Sequence, residues 1–160
     1  MADAQYQYGD TYPVIAKIAT AQEVEIGDLV GLATDEVYPA SDEAWDTNLA
    51  TTQENFVANF LGVSGQKKDA NKARVFGNSS DNRIRIDTAS IYEFDTASAS
   101  YAIGDLVGPA KQSGNALENQ KVAAVAAADK AIGVVVESTS SSTRVKVQLL
   151  STKLPIALAK

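Results

Sequence analysis

IGDLVG stands at Ile26–Gly31 and again at Ile103–Gly108, 77 positions further along the chain. The surroundings of the two copies repeat as well. After the first come FLGVS at Phe60–Ser64 and RIRID at Arg83–Asp87; after the second come AIGVV at Ala131–Val135 and RVKVQ at Arg144–Gln148. Three matched blocks in one order point to an internal duplication, or to two similar modules in one fold. Their spacing has diverged, since Gly62 follows Gly27 by 35 positions and Gly133 follows Gly104 by 29.

Each block reads as part of a strand. Gly27-Asp28 and Gly104-Asp105 are structural turn pairs: glycine lifts the steric limit on φ, and aspartate can bond its own nearby backbone. RIRI and RVKVQL alternate with period 2, so Ile84, Ile86, Val145 and Val147 face a core, while Arg83, Arg85, Arg144 and Lys146 face away from it. IYEFD at Ile91–Asp95 is a further strand, rich in aromatic and β-branched residues. STSSST at Ser138–Thr143 reads as a hairpin loop. The exception to strands lies in SDEAWDTNLATTQENFVANFLGV. There Thr51 or Thr52 caps a short helix with Glu54 in its first turn and Phe56, Val57 and Phe60 on the buried side. ALENQ near Ala116 suggests one more helical turn. The expected fold is mainly all-β: a compact barrel or sandwich of two related modules, with one short helical insert and extended terminal arms. The expected division is an N-terminal arm over 1–22, a duplicated β domain over 23–153 with modules 23–95 and 96–153, and a C-terminal tail over 154–160.

Composition narrows the function. The 160 residues carry a net charge of −6, with no cysteine and no histidine. A phosphate backbone repels such a surface, so nucleic acid is not an expected partner. Disulfides, thiolate nucleophiles, imidazole metal sites and the commonest general base are all excluded. MADAQYQYGDTYP lacks the positive start and apolar run of a signal peptide. VAAVAAADKAIGVVV is broken by Asp129 and Lys130, so the sequence reads as soluble, without a membrane partner.

The chemical candidates each have a plainer rival. Asp28 and Asp105, at equivalent repeat positions, are a paired-carboxylate candidate, but duplication of a turn accounts for them. DEAWD and DNRIRID gather acids without the alternating spacing of a calcium loop. The serine run has no histidine and no nucleophile elbow, which leaves only a serine–lysine arrangement. GQKKDANKARVFGN is not a phosphate loop. Asn78-Ser79-Ser80 matches a glycosylation acceptor. No catalytic, metal or cofactor residues are therefore assigned. Partner-binding candidates are Tyr6, Tyr8 and Tyr12 in the N-terminal arm, together with the basic set Arg83, Arg85, Arg144 and Lys146. The plain reading of that set is a solvated strand face with acidic neighbours; the sharper one is a docking face for an acidic protein.

The stretches EIGDLVGLA, NFLGVS, IRIDTASIYEFD, YAIGDLVGPA, KAIGVVVES and TRVKVQLLS span about Val24 to Ser151. In that order they resemble the small β-rich decoration, or cement, proteins of tailed-bacteriophage heads. The helical insert and the tyrosine-bearing N-terminus depart from that pattern. The resemblance implies a non-enzymatic structural virion protein, commonly trimeric, made in the host cytoplasm and placed on the capsid exterior. Its partner there is the major capsid protein, whose neighbouring subunits it ties together. The alternatives are a non-catalytic ligand- or carbohydrate-binding β-module, with Tyr6, Tyr8, Tyr12, Trp45 and Tyr101 as stacking faces, or another virion part such as a head-fibre base or tail protein. An enzyme with an unusual carboxylate or serine–lysine site is the remaining class.

Overall fold

A computed structural model describes residues 4–73 and 82–154 of the chain. Asn78–Ser80 and the apolar tail from Pro155 lie outside the described residues. The strands fall into two sets of five. The first set comprises β2 (Val14–Lys17), β3 (Leu29–Ala33), β4 (Glu36–Pro39), β5 (Phe60–Ser64) and β6 (Arg83–Asp87), in the order β2-β6-β5-β3-β4. The second comprises β7 (Ile91–Tyr101), β8 (Leu106–Lys111), β9 (Leu117–Ala124), β10 (Gly133–Val135) and β11 (Thr139–Leu149), in the order β7-β11-β10-β8-β9. Counted within each set, the order is the same: first, fifth, fourth, second, third.

Closure is complete in the second set and rests on one isolated bridge in the first. β9 returns to β7 in parallel through Asp95↔Lys121 and Thr96↔Val122, which makes the second set a closed five-stranded barrel. In the first set a single parallel bridge, Ile18↔Val37, brings the two edges of an otherwise antiparallel sheet together. The register repeats residue for residue. Val30 faces Gly62 as Val107 faces Gly133, and Val63 faces Asp87 as Val134 faces Gln148. The duplicated blocks thus occupy like places in two rings.

Alternation explains the packing. Ile84, Ile86 and Val147 are fully buried and Val145 nearly so. β3 is buried on both faces: Val30 joins Ile18, Val37, Leu61, Ile84 and Ile86 inside the first ring, whereas Leu29 joins a larger cluster. That larger cluster mixes Phe56, Phe60 and Val63 of the first half with Phe94, Leu117, Val122 and Ile132 of the second. The larger cluster is therefore common to both rings, while the smaller belongs to the first ring alone. Burial of this kind contributes about 25 cal/mol per Å² of apolar surface, and it binds the halves into one folding unit.

The insert forms α1 (Leu49–Ala58), with Phe56 and Val57 buried as the spacing predicts. Its cap differs from the expectation. Asn48, not Thr51 or Thr52, holds the N-cap, its Oδ1 accepting from the Thr51 amide at 3.0 Å. Thr52 Oγ1 instead donates to the Asn48 carbonyl at 2.9 Å and accepts from the Asp46 amide. Phe60 lies beyond the helix, in β5.

Two loop or helix readings become strands. The serine stretch from Thr139 opens β11, because β7 runs on to Tyr101 and offers it a partner: Thr139 pairs with Tyr101 and Ser142 with Ala99. The register shifts there, and the Ser142 hydroxyl serves the irregular backbone, donating to the Arg144 carbonyl at 2.8 Å and accepting its amide at 3.1 Å. ALENQ enters β9, where Leu117 is buried opposite Lys111. Strand membership also shifts the division read from the sequence. Val14–Lys17, placed with the arm, is a strand of the first ring, and Ile91–Asp95, placed in the first module, begins the second.

The N-terminal segment is fastened to its own chain. β1 (Gln5–Tyr8) adds antiparallel to the outside of β7, with Tyr6 opposite Tyr92. The amides of Thr88 and Ala89 donate to the Thr11 carbonyl, and Thr88 Oγ1 to the Tyr12 carbonyl at 2.7 Å. At the other end, the amides of Thr152 and Lys153 both donate to the Phe60 carbonyl.

Candidate interaction surface

The duplicated turns are alike in geometry. Gly27 and Gly104 have φ of 95° and 96°, a region open to glycine and strained for other residues. Asp28 Oδ2 accepts from the Glu25 amide at 2.9 Å, and Asp105 Oδ2 accepts from the Ala102 amide at 2.9 Å. The Gly27 amide donates to the Ser64 carbonyl, and the Gly104 amide to the Val135 carbonyl, each at 2.9 Å.

Their surroundings are unlike. Asp28 is buried, and the Gln120 side chain of β9 crosses from the second ring to meet it. Gln120 Nε2 donates to Asp28 Oδ1 at 2.8 Å and to the Ile26 carbonyl at 3.2 Å, while its Oε1 accepts from the Ala4 amide at 2.7 Å. Asp105 is exposed, and the groove beside the first turn is lined by Asp28 but not by Asp105. The structure thus brings no carboxylate pair together at the repeat positions.

The difference sets an expected outcome. Asp28→Ala removes a buried turn cap and one of the two acceptors of the half-buried Gln120 amide, at a cost of about 2 kcal/mol. Asp105→Ala removes only an exposed cap, at about 0.5 kcal/mol. Urea unfolding of the two variants measures both; equal losses would contradict the assignment.

Polar side chains that sequence reasoning missed make further stitches between the rings. Gln53 Nε2 donates to the Pro109 carbonyl at 2.8 Å, and Asn119 Oδ1 accepts from the Ser41 amide at 2.7 Å. The only sign of Asn119 and Gln120 in the sequence is the polar run ENQK between the buried residues Leu117 and Val122. Lys68 is a different case. Its buried ammonium donates to the carbonyls of Thr20, Gln22 and Asp69 at 2.7, 2.8 and 3.2 Å, and burial pushes its pKa below the ordinary value. It ties two loops together.

The basic candidates do not form one uncommitted face. Arg83 and Arg85 lie on β6 of the first ring, Arg144 and Lys146 on β11 of the second. Arg85 Nε pairs with Asp87 at 3.0 Å, Arg144 with Glu93 at 2.9 Å and Asp95 at 2.6 Å, and Lys146 with Glu137 at 2.9 Å. The Arg85 and Arg144 pairs are partly buried, and only the Lys146 pair is an exposed one, of the kind that contributes about 0–1 kcal/mol. Arg144 is the best enclosed of the three, holding two carboxylates on the neighbouring strand β7.

Tyr6, Tyr8 and Tyr12 are each about half exposed, at 51%, 51% and 49%. Tyr6 packs edge-on against Tyr92 with ring centres 5.9 Å apart, which leaves the rest of its ring open. Ile26 and Ile103, the isoleucines of the repeated hexapeptide, are exposed too. Two open grooves flank Ile26. The larger, about 930 Å³, runs between the first turn and the second ring past Glu25, Asp28, Lys67, Glu118, Lys121 and Arg144. The smaller, about 510 Å³, has Tyr6, Thr11, Arg85, Asp87 and Tyr92 in its wall. The proposed stacking faces do not assemble on either one: Tyr101 is buried with its hydroxyl on Thr96, and Trp45 lies under the Lys111 ammonium at 5.3 Å. Among the described residues no group of three acids is placed to hold a metal ion.

Two phenols are tied to carboxylates. Tyr92 donates to Asp87 Oδ2 at 2.5 Å and Tyr38 to Glu43 Oε2 at 2.6 Å. In both, burial first and the carboxylate second raise the pKa well above the ordinary 10.0. Above that value the unfolded chain releases protons that the native state keeps, so these groups make stability fall as pH rises beyond 10. The expected slope is up to about 1.4 kcal/mol per pH unit for each phenol. Unfolding curves at pH 9 and 11 for the Tyr38→Phe, Tyr92→Phe double variant and the parent measure the contribution; an unchanged slope in the variant would contradict it. No family model matches the chain, and no curated protein matches it.

Proposed function

We propose that the chain is a structural virion protein that binds the outer surface of a phage capsid and stabilises contacts between coat subunits. It does so without catalysis, as a homotrimer made in the host cytoplasm. The observation that carries this reading is the residue-for-residue equivalence of the two rings. The ordered blocks that resemble decoration proteins are the strands and turns of a repeated structural unit, fused through a common core. The resulting body presents half-exposed tyrosines and turn isoleucines at its surface. A cement protein that prefers the assembled shell to free subunits stabilises the shell by that difference in affinity. Many copies multiply a modest contact.

Cryo-electron microscopy of the virions tests the reading. Density for two fused five-stranded rings on the shell exterior is the expected result, and shells without it would end the proposal. Light scattering tests the trimer separately: the expected mass is three times that of the 16.8 kDa chain.

The polar groove beside Asp28 favours a second reading, a ligand-binding β-module. Its acids, amides and cations can hydrogen-bond a polar ligand, but it lacks the aromatic platform that sugar binding ordinarily uses. A glycan array separates the two readings, with no hits expected on the first.

A further inference from the structure

The repeated turn exists in two states within one chain, and the occupied copy shows what the vacant copy can hold. At the first turn, the Ile26 carbonyl and Asp28 Oδ1 together clamp one carboxamide, the Nε2 group of Gln120. A Cβ placed on Gly27 would lie 2.8 Å from the Ala4 carbonyl and 3.1 Å from Gln120 Oε1, so the turn is covered. At the second turn the same backbone is built to nearly the same distances, but among the described residues a Cβ on Gly104 would meet nothing within 4 Å. The Ile103 carbonyl and Asp105 Oδ1 receive no hydrogen bond among the described residues. Ile103 is 69% exposed, more than any other large apolar residue described.

We infer that the open turn Ala102–Asp105 is a docking element for an extended segment of a different polypeptide that presents a carboxamide side chain, with Ile103 as the apolar anchor. The pattern of its recognition is the Gln120 contact, repeated between molecules. A second copy of this chain does not fit the role. Val37 and Val122 hold the same register position in the two rings, each in the parallel closure. Counting back from them, the counterparts of Gln120 and Lys121 in the first ring are Asp35 and Glu36. A landing strip of two carboxylates opposes Asp105. Within the proposed function, on which this inference rests, the segment belongs to the coat subunit.

The test sediments the purified full-length chain with heads that lack it, taken from the virus that encodes it. Ile103→Glu is expected to reduce retention at least tenfold at unchanged oligomeric mass. Ile15→Glu, the same change at an exposed isoleucine of β2, is expected to stay within twofold of the parent. Retention of Ile103→Glu at the parent level overturns the inference and leaves the proposed function standing. Failure of the parent chain to sediment overturns both. A change of oligomeric mass in Ile103→Glu overturns the inference as well, because the turn then joins copies of this chain. Circular dichroism checks the fold of the variant, and Ile103→Ser takes its place, under the same criteria, should the glutamate prevent folding.

Discussion

Gly133→Val is expected to abolish the cooperative fold, and Gly62→Val to do the same. Neither glycine is needed for an unusual φ; both are needed for space. A Cβ on Gly133 would stand 2.2 Å from the Gln148 carbonyl oxygen and 2.6 Å from Val147 Cγ1. A Cβ on Gly62 would stand 2.1 Å from the Asp87 carbonyl oxygen. In each ring the obstacle is the backbone of the strand alongside, which cannot swing away as a side-chain tip can. β10 has only three residues and pairs with β8 on one side and β11 on the other, so backing off from β11 also disturbs β8. Overpacking of mobile neighbours costs about 1–3 kcal/mol, and a fixed backbone puts these two at or above the top of that range. Gly104→Ala supplies the contrast. It meets nothing within 4 Å among the described residues and incurs only the strain of a left-handed φ, about 1 kcal/mol. Urea unfolding of the three variants gives the ranking; a Gly133→Val protein as stable as Gly104→Ala would refute the close approach.

Phe56→Ala is expected to cost about 4 kcal/mol and to weaken both rings together. Phe56 is fully buried, with the rings of Tyr38 and Phe60 at 6.1 and 5.9 Å. It projects from the only α-helix described into the core that holds Phe94, Val107 and Ile132 of the second ring. A cavity there removes contacts from both halves at once. The emission of Trp45, beside the helix, and the far-ultraviolet signal of all the strands should therefore fall in one coincident transition at lower urea. Two separated transitions would show that the rings fold independently.

The parts of the fold legible in the sequence are those with local causes. Period-2 alternation in RIRI and RVKV places Ile84, Ile86, Val145 and Val147 inside because a strand can turn them no other way. The Gly-Asp turns are equally local, since the cap spans only three residues. What escaped the sequence depends on partners far along the chain. A serine run looks like a loop until β7, some 40 positions earlier, supplies the edge against which Thr139 and Ser142 pair. ALENQ looks weakly helical until β8 supplies the hairpin. A core pattern begins at VIAKIA, Val14–Ala19, but the partner that makes Val14–Lys17 a strand of the first ring is β6, roughly 70 residues later. The candidate surface divides in the same way. The repeat picks out Asp28 and Asp105 and the tyrosines stand out by type, yet the burial of one aspartate and exposure of the other follow from Gln120, 92 positions from Asp28. The ion pairs of Arg144 and Lys146 follow the plain reading of an alternating face with acidic neighbours.

The placement of β1 has a consequence for how the polypeptide is made. The first described strand belongs to the edge of the second ring, and its partner Ile91 follows Tyr8 by 83 positions. At ribosomal speeds of about 5–20 residues per second, that interval lasts roughly 4–17 seconds. Throughout it the nascent QYQY segment, uncharged and tyrosine-rich, waits without its mate while the first ring assembles downstream of it. Translation therefore opens a window in which this segment is available to other nascent chains or to chaperones, and the window shuts only when the start of β7 leaves the exit tunnel.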